Sequence, residues 1–234
     1  MATLTTRTAS KQRSKRNRAN EATLPKGPQT VENAVKAIKQ FKKLKFDETI
    51  NVVFHLGIDP KQADQIIRGS ASLPNGIGRS ARVIAFCQSD KVAMAKAAGA
   101  IEAGAEDLVQ KIEGGWMEFD VAVASPDMMR VVSKLGKVLG PKGLMPSPKA
   151  GTVTPDITSA VKEYSAGKQE YRNDDGGNVH AVIGKMSFTE KALAENLQAF
   201  IDIIQRAKPA SAKGTYLKKC VISGCMSPGV QISV

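Results

Sequence analysis

Apolar and polar residues first fall into a regular order at residue 30. Behind the capping residue Thr30, Val31, Val35, Ile38 and Phe41 lie close to one stripe of a 3.6-residue repeat, with Lys36, Lys39, Lys42 and Lys43 displayed elsewhere. The spacing predicts a basic-faced helix. From Thr49 to Leu56 the period shortens to two: Ile50, Val52, Phe54 and Leu56 point one way and Asn51, Val53 and His55 the other, as in a half-buried strand. Asp59-Pro60 supplies an N-cap and a proline at the first helical position, which predicts a short helix stopping near Gly69.

The turn cluster Leu73-Pro74-Asn75-Gly76-Ile77-Gly78 marks a change of texture. Val83 to Phe86 is a short apolar run, Asp90 caps an Ala-rich helix, Glu106 to Ile112 reads as another helix, and Phe119 to Ala124 as a buried strand. Ser125-Pro126 opens a helix with Met129, Val132, Leu135 and Leu139 on one stripe, ending in a Gly/Pro-rich loop over residues 140–149. Strands alternating with helices predict a small α/β unit. Beyond Asp156, a helix with Ile157, Val161 and Tyr164 in register ends at Gly167, and two strands flank the turn Asp174-Asp175-Gly176-Gly177-Asn178. Thr189 caps a longer helix with Leu193, Leu197, Phe200 and Ile204 inward, and a final strand runs from Thr215 to Met226.

The N-terminal part alone offers one strand and two helices, too little to close a core, so its sheet must be completed by the C-terminal strands. The expected fold is therefore two-domain, mixed α/β and α+β. A discontinuous α+β domain is built from residues 29–70 and 162–234, a Rossmann-like α/β domain over 71–161 is inserted, and an arm spans 1–28.

Charge sharpens this division. The chain has 234 residues with 34 Lys plus Arg against 22 Asp plus Glu, a net charge of +12 that points to a polyanionic partner. Residues 1–70 hold 14 cations and 6 acids, 71–161 hold 10 and 9, and 162–234 hold 10 and 7, so the footprint belongs to the two ends. Arg7, Lys11, Arg13, Lys15, Arg16 and Arg18 crowd residues 5–18 with no acid or large apolar residue among them, which predicts a disordered basic arm that touches nucleic acid. A plain solubilising tail and a transit peptide are the competing readings; the segment lacks the apolar stripe of a transit helix. No window approaches 18 consecutive apolar residues, and no membrane span or secretory signal is expected. The three cysteines, Cys87, Cys220 and Cys225, form no C-x-x-C pair, and with the distant His55 and His180 they suit neither a zinc set nor a disulfide framework; a reducing compartment is expected.

Catalytic motifs are weak. Gly76-Ile77-Gly78-Arg79 satisfies a loose dinucleotide fingerprint but precedes a strand, whereas a phosphate-cradling turn must follow one and open a helix. No P-loop string exists, each His stands in a strand pattern without an evident partner, and Asp174-Asp175 is explained by turn chemistry. A nucleotide-binding α/β enzyme is the alternative reading, with nothing but its fold class to support it. No cofactor, metal or catalytic residue is expected.

Several strings converge on one family: Lys45-Phe46-Asp47-Glu48-Thr49, Leu56-Gly57-Ile58-Asp59-Pro60, Leu73-Pro74-Asn75-Gly76, Leu139-Gly140-Pro141-Lys142-Gly143-Leu144-Met145-Pro146, Pro148-Lys149-Ala150-Gly151-Thr152-Val153, Tyr171-Arg172-Asn173-Asp174 and Ala212-Lys213-Gly214. In this order they resemble the bacterial form of large-subunit ribosomal protein L-one, over about residues 30–232. The resemblance implies a cytoplasmic, non-enzymatic constituent of the large ribosomal subunit. It would bind large-subunit rRNA at the mobile stalk, assist release of deacylated tRNA from the exit site, and repress translation of its own-operon mRNA.

Carried over residue by residue, the implied rRNA-binding positions are Lys45, Phe46 and Thr49 at the start of the first strand and Ser223, Cys225 and Met226 at the end of the last. Lys213, Lys36, Lys42, Lys43 and Lys218 supply phosphate contacts. Short side chains with one aromatic and one Met suit the reading of RNA shape. A competing reading makes Phe46 and Met226 core, since alternation groups Met226 with Tyr216 and Ile222. The chain also departs from the pattern: Gly224-Cys225-Met226-Ser227 stands where the family has Thr-Thr-Met-Gly, which exchanges a hydroxyl for a weak thiol at Cys225.

Overall fold

The computed structural model describes residues 14–233. Eight residues, Lys15–Ala22, form α1, and Val31–Gln40 form α2 behind Thr30, whose hydroxyl accepts from the Asn33 amide at 3.5 Å. Thr49–Leu56 is β1, with inward Ile50, Val52, Phe54 and Leu56 all buried. Arg68–Ala71 is β2 and Val83–Phe86 is β3. Ser89–Ala97 (α3), Glu102–Gly104 (β4), Glu106–Glu113 (α4) and Val121–Ala124 (β5) follow, then the short helices Met129–Val132 (α5) and Gly136–Leu139 (α6). Ile157–Ser165 is α7, Gln169–Arg172 is β6, Asn178–Lys185 is β7, Glu190–Arg206 is α8, Leu217–Gly224 is β8 and Val230–Ile232 is β9.

A four-stranded sheet runs β7-β1-β8-β9, and its three ladders are antiparallel, so the lone N-terminal strand sits between two strands from the other end of the chain. Alternation along β1 decides which face is dry. Its inner face packs on α2 and α8 in one apolar cluster drawn from residues 34–73 and 171–232, in which Phe54 and Phe200 lie 5.7 Å apart. The other face, with Asn51, Val53, His55, His180 and Ser223, is left uncovered by either helix.

Residues 83–164 build a separate arrangement: a parallel sheet ordered β4-β3-β5, buried on both faces. One face packs Ile84 and Phe86 against α4 and residues 128–139; the other packs Val83, Ala85 and Val123 against α3 and α7. Full burial on two sides explains why β3 and β5 read as apolar runs instead of alternating.

Three expectations need correction. The helix predicted from Asp59 to Gly69 is absent apart from a 3-10 turn at Ala63–Gln65. That stretch has no apolar stripe to bury, and the chain instead drops Ile67 and Ala71 into the core and pairs β2 with β6. Helix α7 runs across the expected boundary between 161 and 162, and its Ile157, Ala160, Val161 and Tyr164 all pack on the parallel sheet. The helix predicted after Pro126 keeps its buried stripe but is broken into alternating 3-10 and α turns, with the Ser133 hydroxyl donating back to the Met129 carbonyl at 2.6 Å. Finally, residues 15–22, expected to be disordered, are helical. Polar tertiary contacts order them in place of apolar burial: Asn20 is buried and its side-chain oxygen accepts from the Lys42 amide at 3.0 Å. The rest of the expected basic cluster, through Arg13, lies outside the described residues.

Candidate nucleic-acid interface

The start of β1 and the end of β8 meet because the strands are antiparallel, with Ile50 opposite Gly224. Inward parity on β1, read backwards from Ile50, falls on Glu48. Inward parity on β8, read forwards from Ile222, falls on Gly224. Glu48 is accordingly buried at 2% exposure, and its carboxylate occupies the space a side chain at position 224 would need: a Cβ there would lie 2.7 Å from the Glu48 carboxyl carbon.

That carboxylate holds the turn beyond β8. It accepts from the Met226 amide and from the Ser227 hydroxyl, the latter at 3.1 and 3.0 Å to its two oxygens. The Cys225 amide donates to the Thr49 carbonyl at 3.1 Å. On the other side Asp47 accepts from the Ser187 amide at 3.0 Å and hydroxyl at 2.8 Å, while the Met186 amide donates to the Glu48 carbonyl at 2.8 Å. Residues 47 and 48 thus pin one loop to the ends of both neighbouring strands. Phe46, next in line, is turned outward.

The consequence is two large apolar side chains left in water at this end of the sheet: Phe46 is 51% exposed and Met226 is 56% exposed. The reading that made them core is overturned. β8 stops at Gly224, so the alternation that would have carried Met226 inward has already ended. Lys36, Lys42, Lys43 and Lys45 are exposed, and Lys43 shares a shallow cleft with Phe46, Asp47 and Met186. Thr49 and Ser223 are half-buried and Cys225 is exposed. Lys213 and Lys218 are exposed but stand at the opposite end of the sheet, where β8 begins beside Leu56. The length of β8 puts them roughly 20 Å or more from the Met226 turn. The structure gathers Lys45, Phe46, Thr49, Ser223, Cys225 and Met226 at one end and does not bring these two with them.

Arg16 is the residue that composition alone could not place. From α1 its guanidinium donates to the Met226 carbonyl at 2.7 Å, so the N-terminal helix and Glu48 hold the turn from two sides. Glu48 had a readable signal, an acid on the inward parity of a strand. Arg16 had none, because its partner lies 210 positions away.

The glycines at 76 and 78 do not form a phosphate cradle. Both have positive φ, Gly76 offers its carbonyl to the buried Asn196 amide of α8 at 2.9 Å, and a Cβ on Gly78 would meet the Phe188 ring at 2.9 Å. The turn that leaves β3 for α3 is Cys87-Gln88, without glycine. Asp174 is likewise spent on its own turn: its carboxylate accepts from the Gly176 amide at 2.9 Å and the Asn178 amide at 2.7 Å, bonds that hold it below the usual carboxylate range.

With this geometry in hand, comparison with known proteins is decisive. The family described as Ribosomal protein L1p/L10e matches residues 38–228. The chain belongs to this family. It is also 52% identical over 190 residues to the large ribosomal subunit protein uL1 of a Nocardioides species, covering 81% of this chain and 79% of that protein. The turn at Glu48 and Met226 therefore belongs to a ribosomal protein, a structural and non-enzymatic component of its particle.

Proposed function

We propose that this L1-family chain binds large-subunit rRNA at the mobile stalk of the cytoplasmic ribosome, with the Phe46 and Met226 turn as its shape-reading surface. The single observation that carries this is the exposed Met226, whose backbone amide is held by the buried Glu48 carboxylate, with the exposed Phe46 two residues before that glutamate. Neither exposed side chain is buried by the fold, whereas an aromatic ring and a thioether fit the sugar edges and unstacked bases of a folded RNA. Lys36, Lys42, Lys43 and Lys45 supply the phosphate attraction around them, and Lys213 and Lys218 act as remote phosphate contacts. In this reading residues 29–70 and the chain from about 166 onward form the gripping domain. The middle unit is an inserted domain that swings from it, and the stalk assists release of deacylated tRNA from the exit site.

The same surface, presented with a similar RNA shape in the leader of its own message, represses translation. The test is a titration of the full chain against a stalk fragment of large-subunit RNA, with and without Met226→Ala. Tight, salt-sensitive binding weakened by the substitution is expected; co-sedimentation with free small subunits in place of large ones overturns the reading. A reporter fused to the leader of the protein's own message, derepressed by added stalk RNA, tests the regulatory half.

A further inference from the structure

Sulfur is unevenly exposed in this chain. Among the described residues, Met117, Met128, Met129 and Met145 pack into one core of the parallel-sheet unit, and Met186 packs against the core of the four-stranded sheet. Two methionines stand clear: Met94 on α3 is 52% exposed and Met226 is 56% exposed. Of the thiols, Cys87 and Cys220 are buried and Cys225 is exposed. Two of these three exposed sulfur side chains are therefore consecutive in the chain, in the turn beyond β8.

That turn is pinned through its backbone. The Cys225 amide donates to the Thr49 carbonyl at 3.1 Å, the Met226 amide donates to the Glu48 carboxylate, and the Met226 carbonyl accepts from Arg16 at 2.7 Å. With amide and carbonyl both held, Met226 is not free to swing a modified side chain out of the interface. The inward space beside it is already taken, since the Glu48 carboxylate fills the room a side chain at Gly224 would need.

We propose that Met226 is a reversible oxidation site and that its sulfoxide form releases RNA, an inference that rests on the RNA-binding reading of this turn. The oxidant is hydrogen peroxide. The thioether sulfur attacks one peroxide oxygen, the O–O bond breaks as the S–O bond forms, and the other oxygen leaves as water, so sulfur loses the two electrons that the peroxide gains. A flexible apolar side chain becomes a polar, chiral one at the point where an apolar contact is made. Because the side chain is not part of either core, the change falls on binding and leaves stability nearly untouched. A methionine sulfoxide reductase reverses it: two thiols supply the electrons and become a disulfide, and the oxygen leaves as water. Cys225 meets the same oxidant, but its sulfenic acid or disulfide returns to the thiol with dithiothreitol, which leaves a sulfoxide intact.

The test treats the full chain with hydrogen peroxide, removes the oxidant, and titrates the product against the stalk fragment at fixed salt. Affinity is expected to fall about tenfold, to stay low after dithiothreitol, and to recover with methionine sulfoxide reductase. Peptide mass spectrometry should place the added oxygen on Met94 and Met226 of the free chain, and on Met94 alone when stalk RNA is bound before the peroxide is added. Met94→Leu should respond as the unsubstituted chain does, whereas Met226→Leu, compared with its own untreated form, should show no response. Recovery with dithiothreitol alone assigns the effect to Cys225 and overturns the proposal, as does a loss that neither reagent restores. Undiminished binding by a chain oxidised at Met226 overturns the switch and leaves the RNA-binding reading standing. An untreated chain that does not bind the fragment overturns that reading, and the switch with it.

Discussion

The buried carboxylate of Glu48 accepts the backbone amide of Met226, 178 positions further along the chain, and this one bond ties the start of β1 to the exposed tip beyond β8. Substituting Glu48→Ala removes that acceptor and the one used by Ser227. A cost of about 1–2 kcal/mol in stability is expected, together with a loss of about tenfold or more in affinity for stalk RNA, measured by denaturant titration and filter binding. Unchanged affinity would detach the tip from RNA recognition.

Gly224 and Glu48 share one space, so their substitutions should not add. Gly224→Ala alone is expected to displace the carboxylate and weaken RNA binding, because its Cβ would sit 2.7 Å from the carboxyl carbon. In the Glu48→Ala background the same change should cost little. A double-mutant cycle measures the coupling, and strict additivity would contradict the shared space.

Met226→Ala separates binding from folding. With 56% of the residue exposed, its removal should shift stability by no more than about 0.5 kcal/mol. Affinity for stalk RNA should fall about tenfold at fixed salt with an unchanged salt slope. Arg16→Ala should lower affinity less, by a few-fold, since Glu48 still holds the turn. Removing residues 1–13, with their three cations Arg7, Lys11 and Arg13, should flatten mainly the salt slope, by about two to three.

The three cysteines should behave unequally. Cys87 and Cys220 are buried, and burial pushes the Cys220 thiol up to about 12, so almost none of it is thiolate at pH 8. Only Cys225 is expected to react with an alkylating reagent in the folded protein, and all three after unfolding, as counted by mass spectrometry. Alkylation of Cys225 should weaken RNA binding, and Cys225→Thr should strengthen it.

Asp156 caps α7 by accepting from the Ser159 amide at 3.2 Å and from the Thr158 and Ser159 hydroxyls, both at 2.7 Å, and these bonds lower its carboxyl to about 2. A carboxyl depressed on folding contributes stability that is complete above its unfolded value near 4 and is lost as pH falls through about 2. Asp156→Ala should therefore lower the melting temperature at pH 7, and the gap from the unsubstituted protein should close between pH 4 and 2. A gap independent of pH would mean that the cap works through something other than its charge.

Residue order alone carried the elements with enough period to declare themselves: β1 by its alternation, α2 and α8 by their stripes and Thr caps, β3 and β5 as apolar runs. It also dictated that the N-terminal strand needs partners from the far end, because one strand cannot bury both its edges. The three-residue strands β4 and β9 were too short to show any period, and β2 was masked by a cap signal with no apolar stripe behind it. Which side chains stand exposed at the joined strand ends was decided only in three dimensions. Met226 is outward because β8 ends two residues earlier and the turn hangs on Glu48, and α1 is ordered because Arg16 and Asn20 find partners at Met226 and Lys42. Hydrogen bonds between positions so distant in sequence leave no local pattern; only the antiparallel closure of the sheet brings their atoms within reach.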